Sequence, residues 1–339
     1  MPDLLRVELL TERQRGAIAA LAGAAASADG VAPLSEQVVL DVRAGSGATH
    51  LLGYAGAVLA GYAQVGRGAP GQPTVELVVH PAHRRRGLGR ALVAGMPPGA
   101  RLWAHGDLPS ARALAAALDL RTVRELHFME LSLADLPAGP VDMPRGFAVR
   151  AFRPGVDDAD VLATNAAAFA GHPEQGRLTA ADLRERMAQP WFDPAGLLLV
   201  SPTGPAAGPP TPTEPAVAAF HWTKIEPDPD AAGRSLRQRP GDARDAAHPG
   251  AADAGSGPPA RVGEVYVVAV HPAYQGVGLG PVVTRLGLGH LRARGCEQAV
   301  LYVDADNTAA MRTYLGLGLR TRHVDRMLAL PQRAVKVRR

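Results

Sequence analysis

One cysteine, Cys296, is all that the 339 residues contain, so an internal disulfide is excluded and a reducing, cytoplasmic setting is expected. It lies in Arg-Ala-Arg-Gly-Cys296-Glu, at an expected helix-to-strand connection, where a small buried filler is a better reading than a nucleophile. Nowhere do roughly 18 apolar residues follow one another, which excludes a transmembrane helix. The start, Met1-Pro-Asp-Leu-Leu-Arg6, lacks the basic-then-apolar order of a secretory leader. Aromatic residues make up only 4% of the composition. No lysine-rich stripe alternates with them, which argues against a nucleic-acid partner. The net charge is a modest +4, with arginines clustered at 84–86, around 292–294 and in the tail 333–339. That distribution suits anionic small molecules, and no metal is expected.

What is present is a repeat. His80-Pro-Ala-His-Arg84-Arg-Arg-Gly87-Leu-Gly89 recurs as His271-Pro-Ala-Tyr-Gln275-Gly-Val-Gly278-Leu-Gly280, with Gly87 and Gly278 lying 191 residues apart. Each copy follows an apolar β-rich run, Val75–Val79 and Val265–Val270, and precedes a helix-compatible stretch. Glycines spaced in this way after a strand let the backbone turn tightly, so that its N–H groups converge with the positive end of the next helix on one anion, such as a pyrophosphate. A single Gly-x-Gly is weak evidence. Two copies of Arg/Gln-x-x-Gly-x-Gly are stronger, and neither is the dinucleotide fingerprint or a nucleotide-hydrolase phosphate loop.

Alternating strands and helices in both halves predict an α/β fold with a mixed sheet in each. The length allows two units of about 150 to 170 residues. We expect a first domain over 1–136, a linker over 137–146 and a second domain over 147–332. Phe128–Leu133 is expected to be the strand that closes the first unit. Ser201 to Pro215 and 227–260 are rich in Pro and Gly without an apolar period, which predicts loops or disordered insertions. The basic end at 333–339 reads as a solvated tail.

The paired glycine motifs resemble the acetyl-CoA signature of the GCN5-related N-acetyltransferase superfamily. Asn307-Thr-Ala-Ala-Met-Arg-Thr-Tyr314-Leu-Gly-Leu-Gly-Leu319 resembles its second hallmark, with Leu319 at the usual Phe. Gly263-Glu-Val-Tyr-Val-Val, Phe220-His-Trp-Thr-Lys224, His172-Pro-Glu-Gln-Gly176 and Leu301-Tyr-Val-Asp-Ala-Asp-Asn307 resemble its tandem members that acetylate the cysteinyl amine of cysteinyl-glucosaminyl-inositol. The resemblance implies two tandem acetyltransferase domains, acetyl-CoA as co-substrate, and a monomer whose halves form an internal pseudo-dimer. It implies acetyl-CoA contacts at Val268, Ala269 and Val270, at Gln275, Gly276, Val277, Gly278, Leu279, Gly280 and Pro281, and at Asn307, Thr308, Ala309, Ala310, Met311 and Arg312. In the first copy the matching positions are Leu77, Val78, Val79, Arg85, Arg86, Gly87, Leu88, Gly89 and Arg90.

Substrate contacts are implied at Glu36, Glu174, Lys224, Glu264 and Tyr302, with Glu264 as base and Tyr314 as acid. Each has a plainer reading beside it. Glu264 could be a solvated strand-edge residue and Tyr314 a packing residue. Asn307 could simply cap a helix. Lys224 and Glu174 could be surface charge, Glu36 a helix start, and Tyr302 filler on the sheet. Aligning the halves on Arg112 and Arg312 sets Asp107 against Asn307 and Leu114 against Tyr314. Aligning on His80 and His271 sets Pro73 against Glu264. The first half therefore keeps the cradle but lacks the base and the acid, and is expected to be non-catalytic.

Overall fold

The computed structural model describes residues 4–44, 48–69, 72–171, 176, 178–203, 215–226 and 261–330. The first half supplies strands β1 (Leu4–Val7), β2 (Thr49–Ala55), β3 (Val58–Ala69), β4 (Gln72–Val79), β5 (Arg101–Ala104) and β6 (Arg121–Ser132). The second supplies β7 (Phe147–Ala151), β8 (Leu197–Pro202), β9 (Ala219–Lys224), β10 (Val262–Val270), β11 (Gln298–Asp304) and β12 (Arg320–Ala329). Helices α1 (Glu12–Asp29), α2 (Glu36–Ala44), α3 (Leu88–Ala94) and α4 (Pro109–Ala117) belong to the first half. Helices α5 (Asp158–Ala168), α6 (Ala180–Met187), α7 (Leu279–Ala293) and α8 (Thr308–Gly316) belong to the second. Ser201 and Pro202, expected to begin an unfolded segment, instead finish β8. Residues 204–214, the insertion 227–260 and the tail 333–339 lie outside the described residues.

Local chemistry sets the helix ends. Thr11 and Gln14 form a reciprocal capping box at the start of α1, and Gly30 ends that helix at a left-handed φ of 68°, a conformation that glycine adopts without a Cβ penalty. Thr179 and Asp182 cap α6 in the same manner. No helix among the described residues is long and apolar enough to cross a membrane.

All twelve strands join one sheet in the order β1-β2-β3-β4-β5-β12-β6-β11-β10-β9-β8-β7. The halves exchange their last strands. β6 pairs along β11 from Leu126–Asp304 to Ser132–Gln298, while β12 lies between β5 and β6. The expectation that Phe128–Leu133 closes the first unit is therefore corrected, because this strand completes the sheet of the second. Apolar alternation specifies which residues of a strand face inward but not which distant strand it joins. Helices α1 and α2 pack over Leu52, Leu59, Tyr62 and Val78, and α5 and α6 over Leu199, Phe220, Trp222 and Ala269 on the same face. Helices α3 and α4 cover the opposite face in the first half, and α7 and α8 do so in the second.

One buried contact under α7 makes the fold sensitive to acid. The His221 side chain on β9 is fully buried and its Nδ1–H donates to the Val283 carbonyl at 3.0 Å. Gly287 leaves the ring its space, since a Cβ there would lie 2.2 Å from it. Burial pushes the His221 pKa down to about 4. The unfolded chain takes up this proton near about pH 6.5, and the folded one only near the lower value. The stability His221 carries is thus complete above the higher pH and lost as the pH falls towards the lower. Chemical denaturation at about pH 7.5 and about pH 4.5 is expected to show a loss larger than that of His221→Gln, by up to about 3 kcal/mol. Equal losses in both proteins would contradict this account.

Candidate active site

The two glycine turns have nearly the same geometry. Gly87 caps α3 at φ 85° and Gly278 caps α7 at φ 87°. Two residues earlier, Gly276 is left-handed at φ 84°, and its counterpart Arg85 is held left-handed at φ 62°. A non-glycine residue in that region costs roughly 1–2 kcal/mol, so the first copy keeps the turn against a local preference. Nδ1 of His80 and of His271 accepts from the backbone N–H two residues on, at 3.2 Å in both. Arg84 Nε donates to the Val79 carbonyl at 3.1 Å, and Gln275 Nε2 donates to the Val270 carbonyl at 3.3 Å. These side chains therefore shape the loop. In Arg84 the rest of the guanidinium is committed to Asp29 in a bidentate pair of 2.7 and 2.6 Å.

Each cradle sits beside a gap in the sheet. Parallel pairing of β10 with β11 covers Val262–Glu264 against Gln298–Val300. That of β4 with β5 covers Thr74–Glu76 against Arg101–Trp103. Beyond these points the described pairing of β10 continues on β9 and that of β11 on β6. Val268, Ala269 and Val270, and in the first copy Leu77, Val78 and Val79, thus line the opening wedge that leads to each cradle. A bulge at Tyr266 separates Val265 from Val267 in the pairing with β9.

Glu264 lies at the point of the wedge, half-buried and directly opposite Lys224 on β9. Lys224 Nζ is 2.8 Å from Glu226 and 5.5 Å from the centre of the Trp191 ring. Its strand neighbour Val300 puts Glu264 on the same face as Tyr302, two residues further along β11. Tyr302 is 39% exposed, and its ring stands 5.0 Å from that of Phe128. Tyr314 is only 8% exposed and belongs to the buried cluster that includes Val265 and against which Val268, Ala310 and Met311 pack. Burial pushes its pKa up to about 12. Asn307 Oδ1 accepts from Ala310 N at 3.1 Å and so caps α8, placing Thr308, Ala309, Ala310, Met311 and Arg312 in the first turns of that helix. Glu36 is the first residue of α2, and Glu174 lies outside the described residues. Cys296 is buried and burial raises its pKa, which suits a filler.

Two alignments between the halves shift by one residue. Leu120 N bonds to the Ala115 carbonyl as Leu319 N bonds to that of Tyr314. The counterpart of Tyr314 is therefore Ala115 rather than Leu114, and that of Asn307 is Leu108 rather than Asp107. Asp107 instead pairs with Arg112 and Arg326 at 2.9 and 2.8 Å. The extra residue at the bulge moves the counterpart of Glu264 from Pro73 to Thr74, because Lys224 opposes Glu264 where Gly66 opposes Thr74. Neither Ala115 nor Thr74 can replace the group it matches.

Sequence reasoning missed a buried polar cluster. His105 Nδ1 lies 2.9 Å from Asp325, and its Nε2 lies 3.3 Å from Glu76. Burial alone would lower the His105 pKa, but the Asp325 and Glu76 carboxylates push it up to about 10. The partners are separated by 220 positions, and no local pattern brings them together.

Known proteins resemble this chain in sequence and in fold. A family model described as the acetyltransferase (GNAT) family matches residues 241–319. A GCN5-related N-acetyltransferase from Sphaerobacter thermophilus superposes with a TM-score of 0.68 at 22% identity, over 97% of this chain and 96% of that one. A tandem GNAT protein from the clavulanic acid biosynthesis pathway superposes at 0.58 and 17% identity, over 98% and 100%. Mycothiol acetyltransferases of Thermomonospora curvata and Nocardia farcinica are each 44% identical. The first matches over 95% of this chain and 95% of its own length, the second over 91% of each. Fold, cradle and relatives define an acetyl-CoA-dependent N-acetyltransferase with GNAT architecture. More narrowly, the chain belongs to the mycothiol acetyltransferase family.

Proposed function

We propose that this chain transfers acetyl from acetyl-CoA to the cysteinyl amine of cysteinyl-glucosaminyl-inositol, giving mycothiol and CoA. The observation that carries the reading is the asymmetry of the two wedges. Both have a cradle, but at the point of the first wedge Glu76 is buried and bonded to Ser35 and His105. At β10 the point is instead the half-buried Glu264, and the Tyr314 phenol belongs to the buried cluster behind that strand. On this reading the second half, 147–332, is catalytic, and the first, 1–136, holds acetyl-CoA without turning it over.

The amine attacks the thioester carbonyl directly, forming the C–N bond as the carbonyl becomes an oxyanion. Glu264, directly or through a water, takes the proton that the nitrogen must lose, since an α-amine has a pKa near about 8 and is partly protonated at neutral pH. Strand N–H groups within Val268–Val270 hold the oxyanion. Its collapse breaks the C–S bond, and the Tyr314 hydroxyl supports the departing thiolate. Full transfer from a phenol at about 12 to an ordinary thiolate at about 8.5 would be uphill by roughly 5 kcal/mol. Tyr314 therefore acts first as a hydrogen-bond donor, and the second proton, shed by the nitrogen as the amide forms, ends on the sulfur, relayed by water or by the phenol.

Thioester consumption across a panel of small amines and peptide N-termini tests the reading. The pseudodisaccharide is expected to have the highest kcat/KM; a peptide or unrelated amine consumed more efficiently would contradict it.

A further inference from the structure

The cluster around His105 continues in both directions. On one side, Ser35 N and Oγ donate to the two oxygens of Glu76 at 2.6 and 2.7 Å, fixing the residue just before α2. On the other, Gly106 N donates to Asp325 at 2.8 Å, and His323 Nε2 lies 3.7 Å from the same oxygen of that carboxylate. The His323 ring stacks on Phe128 at 4.8 Å, and Phe128 meets Tyr302 at 5.0 Å. One line of contacts thus runs from α2 in the first half, across exchanged strands β12 and β6, to the exposed tyrosine beside the wedge of the second. Both carboxylates are buried, at 7% and 6% exposure. Desolvating such ions is costly, and apolar residues commonly hold strands together as well or better. A merely adhesive role therefore explains the cluster poorly.

We propose that His105 is a positioning residue for the amine substrate: as a cation clamped between Glu76 and Asp325, it fixes the start of α2 and the Tyr302 platform as two walls for a polyhydroxylated sugar–cyclitol moiety. This rests on the substrate assigned above. It gives the first half a role in recognition, apart from its own cradle. His105 touches no reacting atom.

The test compares His105→Gln with wild type on the cysteinyl pseudodisaccharide and on cysteinamide, which has the same amine without the polyol. The variant is expected to lose about tenfold or more in kcat/KM for the pseudodisaccharide, through KM. Its kcat/KM for cysteinamide and its KM for acetyl-CoA should stay within about twofold of wild type. Equal losses on both amines, or no loss, would overturn the inference, the first pointing to a purely structural role. Should His105→Gln fail to fold, Ser35→Ala is read instead: a selective loss of about threefold on the pseudodisaccharide supports the clamp, and an unchanged ratio overturns it. A wild type that leaves the pseudodisaccharide unacetylated overturns the substrate assignment and this inference together, whereas a wild type that acetylates it beside an unselective variant overturns the inference alone.

Discussion

Glu264→Gln is expected to lower kcat for the cysteinyl amine by about 10²- to 10⁴-fold, the range over which a positioned base usually contributes. The amide is nearly isosteric, so the position opposite Lys224 remains filled while the proton acceptor is lost. The defect should shrink as the pH rises above about 8, because solvent then supplies the neutral amine that Glu264 otherwise generates. Acetyl-CoA binding should be unchanged, since the cradle at Gln275–Gly280 belongs to a different stretch of backbone. Pre-steady-state rates over a pH series check this. A constant defect at every pH would show that the carboxylate binds substrate without acting as a base.

Tyr314→Phe is expected to slow turnover by about 10²-fold or more, with little change in either KM. The hydroxyl is lost from a ring that otherwise stays in the buried cluster it shares with Val265. The pH profile sets this residue apart from Glu264. With its pKa pushed up to about 12, Tyr314 remains a donor throughout the usual range, so the wild-type rate should rise with pH and then level off without falling below about pH 11. The sign follows from the role: a group needed in its protonated form is lost only above its own pKa. An acyl donor with a more acidic thiol needs less help in leaving, so its turnover should suffer less in the variant. A loss equal for both donors would make Tyr314 a packing residue only.

The parts of this site legible in the sequence were those that backbone geometry dictates over a few residues. Gly87, Gly276 and Gly278 mark left-handed turns because other residues resist them, and Asn307 marks a helix start because its side chain caps one. Both signals are local. The strand exchange was not legible, because the apolar pattern of Phe128 and its neighbours suits any interior strand. The one-residue slips have physical causes as well. The bulge at Tyr266 inserts a residue that β4 lacks, and α4 and α8 align one position away from where matching their arginines would put them. The His105 cluster was hidden most deeply. Glu76 reads as an interruption in an apolar strand, and Asp325 reads as a charge near the end of the chain. Only the exchange of β12 brings them onto the same imidazole.

That exchange also alters what the doubled cradle means. Because β6 completes the sheet of the second half and β12 that of the first, neither half has a finished sheet without the other. The first half can thus be indispensable while performing no chemistry, and its cradle can survive at the cost of an arginine in a left-handed turn.

The most direct test incubates the purified chain with acetyl-CoA and cysteinyl-glucosaminyl-inositol and locates the new acetyl group by fragmentation mass spectrometry. The account predicts one acetyl on the cysteinyl nitrogen, a thiol that remains titratable, and no such product from Glu264→Gln in the same time at neutral pH. An acetyl on sulfur or a sugar oxygen, or an unmodified pseudodisaccharide beside rapid acetylation of another amine, would contradict it.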